Sequence, residues 1–264
     1  MMRCWLHLLA LTLLLGLSGC KTKDNSADTL TNLQKLSPGS GKSAVGAIRT
    51  QILRDTALSV GARGGLAWRS AKINAVLVQN QSLLYRIFNF NAMLLDKNVL
   101  PPILTEARNT LSLGGTDTIR IADRTYQILN QARFVSAAPN WRDYLWLSFT
   151  PPETPDRTLL PRTAVERLIW KKYTQEGWRA GMQQAELIFK ENIARLQRDF
   201  EGMVRYRTLL AQQMVSPPYV AETDMGVTGG GSDLTVSDRV LRITAFPTLQ
   251  NDSQNWKTEI IPHE

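Results

Sequence analysis

Two stretches of this chain repeat each other at a fixed distance. GARGG (Gly61 to Gly65) is echoed by GWRAG (Gly177 to Gly181), both G-x-R-x-G, and LPPILTE (Leu100 to Glu106) by SPPYVAE (Ser216 to Glu222), each at an offset of 116 residues. The same register carries Gly114-Gly115-Thr116-Asp117 onto Gly230-Gly231-Ser232-Asp233, and after a one-residue slip ADRTYQI (Ala122 to Ile128) matches SDRVLRI (Ser237 to Ile243). Four anchors in one order read as an internal duplication covering about residues 50–129 and 166–245. Whatever fold the chain takes must therefore accommodate the same unit twice.

Each copy has one grammar. Apolar residues at helical spacing come first: Leu84, Ile87, Phe88, Met93 and Leu94 in copy one, and Leu187, Ile188, Ile193, Leu196, Phe200 and Met203 in copy two. Pro101-Pro102 and Pro217-Pro218 stop the helix. A glycine-rich loop follows, then a period-two pattern. Ile119 and Ile121, a turn at Ala122-Asp123, and Tyr126 and Ile128 read as one hairpin. Leu234 and Val236, a turn at Ser237-Asp238, and Leu241 and Ile243 read as the other. A lone hairpin is marginal in water, so the two are expected to pair in one small sheet. The fold class is α+β: mainly helical, internally duplicated, each repeat a long helical segment followed by a β-hairpin.

Glycine in a helix interior costs roughly 1 kcal/mol relative to alanine, so Gly61, Gly65, Gly177 and Gly181 need a reason. Each pair is spaced i, i+4 and lies on one helix face. A break at each site is one reading. The preferred one is a close crossing of the two repeats, with structural close-packing through these four residues. Arg63 and Arg179 within the same motifs argue against burial of that crossing in a membrane.

The N-terminus carries a different signal. Arg3 precedes an apolar run from Leu8 to Leu17, far short of the roughly 20 residues a membrane-spanning helix needs. Leu17-Ser18-Gly19-Cys20 resembles a bacterial lipobox, so residues 1–19 are expected to be a lipoprotein signal peptide and Cys20 the lipidation site. Multiple acyl chains anchor stably where a single one does not. Lys21 stands after the cysteine; by likeness to lipoproteins of two-membrane bacteria, where Asp at that position retains the protein in the inner membrane, the protein is expected at the outer membrane, facing the periplasm. Residues 20–43 are polar and glycine-proline-rich and read as a flexible tether. PGSGKS within it is a decoy for a phosphate loop, because Leu36 stands where the first glycine belongs.

Cysteine and histidine usage excludes much. Cys4 and His7 leave with the signal and Cys20 takes lipid, which leaves His263 alone. A structural zinc site, a nucleophile paired with histidine and an internal disulfide all lack their parts. No metal, no catalytic residue and no cofactor beyond the covalent lipid on Cys20 are expected. The net charge is +8, or +7 without Arg3, but the basic residues are interleaved with acids along helices, as at Arg195, Arg198, Asp199, Glu201, Arg205 and Arg207. A solvated helix face is the default there, and no direct nucleic-acid binding is expected.

Residues 44–250 thus read as a single duplicated domain, with a connection at 130–165 and a tail at 251–264. The connection holds Trp141, Tyr144, Trp146 and Phe149 ahead of a proline-rich tract. These aromatics are either a packed edge or, for Trp141, Tyr144 and Trp146, a partner contact.

The residues of TALSVGARGGLAWR (56–69), LPPILTEARNTL (100–111), NWRDYLWL (140–147), ENIARL (191–196) and MVSPPYVAETDMGVTGGGSDLTVSDRVLRITAFP (214–247) resemble the DotC/TraI family. These are lipoproteins of type IVB secretion and IncI-type conjugation machines. The resemblance implies an outer-membrane lipoprotein in a ring-shaped multi-subunit core complex. Its partners would be a DotD-like lipoprotein and a DotH-like subunit, which the chain would help place at the outer membrane. The alternative is a freestanding envelope lipoprotein, either an enzyme or a ligand binder. Glu106, Glu222 and Asp224 are its candidate acids, as a glycosidase uses two carboxylates. Glu106 and Glu222 are equivalent in the duplication, however, which favours a structural role.

Overall fold

The computed structural model describes residues 26–36 and 46–257. Cys20, the signal segment, PGSGKS and the end of the tail lie outside them. The described residues divide into two compact units where the sequence suggested one domain. Residues 26–86 and 141–194 form the first, and 87–140 and 195–257 the second.

The first unit is helical. It contains α1 (Ser26–Gln34), α2 (Ala47–Gln79), α3 (Gln81–Ile87, except its last residue), α4 (Trp141–Leu145) and the first part of α5 (Ala164–Ala211). The buried stripe of α2 is Leu53, Ala57, Val60, Gly61, Gly64, Gly65, Ala67, Ser70, Ile73 and Leu77. Recurrence at three and four residues keeps it on one face. Six of these ten are Gly, Ala or Ser, so the face is recognised by size more than by hydrophobicity. Asn80 closes α2, its side chain donating back to the Val76 carbonyl at 2.9 Å. α5 opens on a reciprocal cap: Glu166 N–H donates to Thr163 Oγ1 at 3.1 Å, and Thr163 N–H to Glu166 Oε2 at 3.4 Å.

Leu53, Ala57, Val60, Leu160 and Trp170 form the core at this end, with Leu33, Leu36 and Tyr173 packed against them. Leu33 and Leu36 belong to the stretch expected to be a tether. Ser26–Gln34 is instead a helix on this core, and Trp170 Nε1 donates to the Leu33 carbonyl at 3.0 Å. Three leucines at a spacing of three, Leu30, Leu33 and Leu36, run along this stretch, and Leu33 and Leu36 are partly buried on the core.

The second unit carries the strands. The helical segment of copy one ends at Ile87, earlier than its apolar spacing suggested, and short turns at Asn91–Met93 and Asp96–Asn98 follow. Phe88 and Phe90 meet Phe200 of α5 edge-on, with centroids 5.5 and 5.2 Å apart. β1 (Val99–Leu100) pairs with β4 (Arg133–Phe134), β2 (Ile103–Leu113) with β3 (Ile119–Asn130), and β5 (Tyr219–Gly230) with β6 (Asp233–Ala245), all antiparallel.

Two expectations about the hairpins change. Each hairpin turns at its glycine-rich loop, so the polar stretches ILTEARNTLSL and YVAETDMGVTGG are strands, and Ala122-Asp123 lies mid-strand. Ser237 also lies within β6, at φ 57°, opposite an irregular stretch of β5. Nor do the hairpins join in one sheet: β2–β3 and β5–β6 are separate two-stranded sheets. The root of the first hairpin, Leu104 with Tyr126 and Ile128, packs against Tyr206 and Leu209 of α5 instead.

The two hairpins share one register. Ile103 pairs with Asn130 and Leu104 with Ile128 across a shift, while Tyr219 pairs with Ala245 and Val220 with Ile243 across another. Glu106 faces Tyr126, and Glu222 faces Leu241.

Candidate functional site

The four sequence-selected glycines lie at one place, a crossing of α2 and α5 in the first unit. A Cβ on Gly61 would fall on the Thr174 carbonyl, with Thr174 C and Cα at 3.0 Å. One on Gly65 would fall on the Trp178 carbonyl, with Trp178 C at 2.9 Å. In the other direction, a Cβ on Gly177 would meet the Leu58 carbonyl and Ala62 N at 3.0 Å, and one on Gly181 the Ala62 carbonyl and Leu66 N at 2.8 Å. All of these obstacles are backbone atoms, so no side-chain rotamer makes room. The contacts exchange under the 116-residue offset: Thr174 is the counterpart of Leu58, and Trp178 that of Ala62. Gly61 therefore does to α5 what Gly177 does to α2. Arg63 and Arg179 are exposed beside the crossing.

Two further glycines escaped the sequence reading. Gly64 is buried against Leu33 and the Trp178 ring, which lies 3.1 Å from where a Cβ would stand. Gly202 admits Ile103 and the Leu104 backbone in the second unit. Neither has a spaced glycine partner to mark it in sequence.

The aromatic cluster divides. Trp141 is fully buried, and Tyr85 meets it edge-on at 5.7 Å, so Trp141 is core and not a surface for a partner. Tyr144 is half-buried, while Trp146 and Phe149 are about 40 % exposed. The Arg142 guanidinium lies over both indoles, 4.6 Å from Trp141 and 5.3 Å from Trp146. It joins the core ring to the exposed one. Leu147, next to Trp146, is held to α2 by a two-way pair, Asn74 Nδ2 to its carbonyl at 2.8 Å and its N–H to Asn74 Oδ1 at 3.1 Å.

The candidate acids are engaged in ion pairs. Glu106, with a side chain 7 % exposed, pairs with Arg108 at 2.9 Å and Arg205 at 3.4 Å. Glu222 pairs with Lys97 at 2.8 Å and Arg239 at 3.0 Å, and the hydrogen bond from Lys97, then that from Arg239, hold its carboxyl below the usual range. A general acid needs the opposite shift. Asp224 accepts the Gly226 N–H at 2.8 Å, a turn-type contact.

A third carboxylate fixes the start of α5. Glu166 is buried and takes Arg49 Nε at 3.2 Å and Arg162 N–H at 2.6 Å, while Arg49 also reaches the Thr158 and Leu160 carbonyls. Burial pushes the Glu166 carboxyl up, but the hydrogen bonds from Arg49 and Arg162 outweigh it, and the net shift is downward. Among the described residues no group of three or more His, Cys, Asp and Glu is placed to hold a metal ion, and no helix is long and apolar enough to cross a membrane.

What the site offers is close packing and ion-pair locking. The sequence model of the T4SS_TraI family, described as type IV secretory system, conjugal DNA-protein transfer, matches residues 47–258. The chain belongs to this family. The match spans both helix-hairpin segments and the crossing between α2 and α5. No curated protein matches the chain. Membership makes the protein a component of a type IV secretion or conjugal transfer system, and hence of a multi-subunit assembly.

Proposed function

We propose that this member of the T4SS_TraI family is a non-enzymatic, outer-membrane lipoprotein subunit of the transfer system's core complex. Acyl chains on Cys20 anchor it, it faces the periplasm, and it acts with a DotD-like lipoprotein to place a DotH-like subunit at the outer membrane. The family match over residues 47–258 carries the reading. The lipobox sequence Leu17-Ser18-Gly19-Cys20 supports the anchor. A scaffold role is supported by the ion-paired carboxylates and by glycines spent on a tight helix crossing. An internal duplication is supported by the exchange of crossing contacts at the 116-residue offset and by the shared hairpin register.

Membrane fractionation of Cys20→Ser with radiolabelled palmitate tests it. The variant should take up no label and leave the outer membrane, and the DotH-like subunit should lose its outer-membrane fraction with it. Undiminished labelling, or an unchanged distribution of both proteins, would overturn the anchor and placement.

A further inference from the structure

Basic charge is concentrated in one unit. Among the described residues the first unit carries fifteen Lys or Arg against nine Asp or Glu, and the second twelve against eleven. In the second unit Lys97, Arg108, Arg198, Arg205 and Arg239 each hold a carboxylate. On the first half of α5, Lys171, Lys172 and Arg179 hold none among the described residues. Glu176 is the one exposed acid on these turns, since Glu166 is buried against Arg49.

These cations share their face with two bare apolar side chains. Val165 is 58 % exposed and Leu168 71 %. Leu168, Lys172 and Arg179 recur at four and seven residues, on the side of α5 turned away from buried Trp170, Thr174, Gly177 and Gly181. Arg54 of α2 adds a further cation at the edge: its guanidinium lies 4.9 Å from the Tyr173 ring, and the Lys172 ammonium lies 5.3 Å from the same ring. Asp55, next to Arg54, is taken up by the Gln51 amide at 2.9 Å. Two cations on one ring with no carboxylate between them repel each other, and an anion placed there relieves both. A nucleic-acid backbone would answer the cations but leave Val165 and Leu168 in water. Headgroup phosphates and the acyl boundary beneath them answer both kinds of side chain.

We propose that this face of α5 lies on an anionic phospholipid surface, with Val165 and Leu168 at the acyl boundary and Lys171, Lys172 and Arg179 at the headgroup phosphates. Each cation near such a surface adds to the attraction, and salt weakens it. The lipid anchor is in reach of the same bilayer. Cys20 stands six residues before Ser26, a span of at most about 20 Å, and Leu33 and Leu36 pack on the core cluster that Tyr173 also joins. That proximity rests on the lipoprotein reading above, whereas the binding face does not.

The test uses the chain from residue 20 onward with Cys20→Ser, so that no acyl chain contributes, in flotation with vesicles of phosphatidylcholine alone or mixed three to one with phosphatidylglycerol. The protein should float with the mixed vesicles, stay behind with phosphatidylcholine, and come off as salt is raised. K171Q/K172Q, folded by circular dichroism, should bind about thirtyfold more weakly, at roughly 1 kcal/mol per cation. As a check independent of charge, Leu168→Cys in the same background, labelled with an environment-sensitive fluorophore, should shift to the blue on the mixed vesicles. Equal flotation with both vesicles or with neither, a double variant within threefold of its parent, or no blue shift would overturn the proposal. So would loss of the DotH-like subunit from complexes of the double variant with vesicle binding unchanged, which would give the face to an acidic protein. Failure here leaves the lipobox reading standing, since palmitate labelling tests that separately.

Discussion

Replacing Gly177 by alanine adds one methyl group, and the geometry says where it goes: onto the Leu58 carbonyl, with Ala62 N 3.0 Å away. Two effects oppose each other. Alanine in a helix interior is better than glycine by roughly 1 kcal/mol. Overpacking typically costs about 1–3 kcal/mol, and the upper half of that range applies because the obstacle is backbone and α2 itself must move. The net loss is then about 1–2 kcal/mol. At about 2–4 °C per kcal/mol for a chain of this size, the melting temperature should fall by about 2–8 °C. Gly61→Ala, Gly65→Ala and Gly181→Ala should behave alike, since each meets a carbonyl of the facing helix. Gly64→Ala is the internal control. Its obstacles are side chains, the end of Leu33 and the Trp178 ring at 3.1 Å, and not backbone, so the helix-propensity gain offsets part of the crowding and melting should fall less than in the other four. Thermal melts followed at 222 nm give the answer. A Gly177→Ala protein that melts at or above wild type, or a Gly64→Ala protein that falls as far as the other four, would refute the crossing as a backbone-limited contact.

Trp141→Ala should cost about 3–5 kcal/mol, the usual range for a buried aromatic, while Trp146→Ala, which loses a partly exposed ring and its Arg142 contact, should cost about 1 kcal/mol. Urea unfolding separates them, and equal losses would contradict the assignment of Trp141 to the core and Trp146 to the surface. Glu166 and Glu222 have carboxyls depressed below their unfolded range, so the stability they contribute is present above about pH 4.3 and is lost as pH falls through their folded values. Denaturant midpoints should therefore decline in acid, and the Glu222→Gln protein should decline less. A Glu222→Gln midpoint that tracks wild type down to pH 3 would remove that ion-pair argument.

The sequence made the crossing legible because the glycines come in spaced pairs and the pairs repeat. Gly64 and Gly202 carry no such mark, and their need for small size arises from Leu33 and Ile103, which approach from distant parts of the chain. The hairpins were legible as hairpins, but their turns were misplaced. β2 and β5 are polar strands whose solvated faces leave no clear alternation, and mid-strand residues at positive φ, such as Ser237, look like turns in sequence. Trp141 and Trp146 are five residues apart in one aromatic cluster. Only the packing of Tyr85 on one and not the other divides core from surface. The cap on α5 was readable in the order Thr163-Ala-Val-Glu166 as a capping box, a signal that went unused. The helix Ser26–Gln34 lay hidden because polar composition argued for a tether, and three leucines were too few to outweigh it.

The proposed role is that of a structural subunit of a type IV transfer core. An affinity-tagged copy, solubilised from the envelope of cells carrying the whole transfer system and resolved by native electrophoresis with mass spectrometry, tests it most directly. A large assembly should appear that contains the DotH-like and DotD-like subunits and disappears together with DNA or protein transfer when the gene is deleted. Recovery of the protein by itself, with transfer undiminished in the deletion strain, would contradict it.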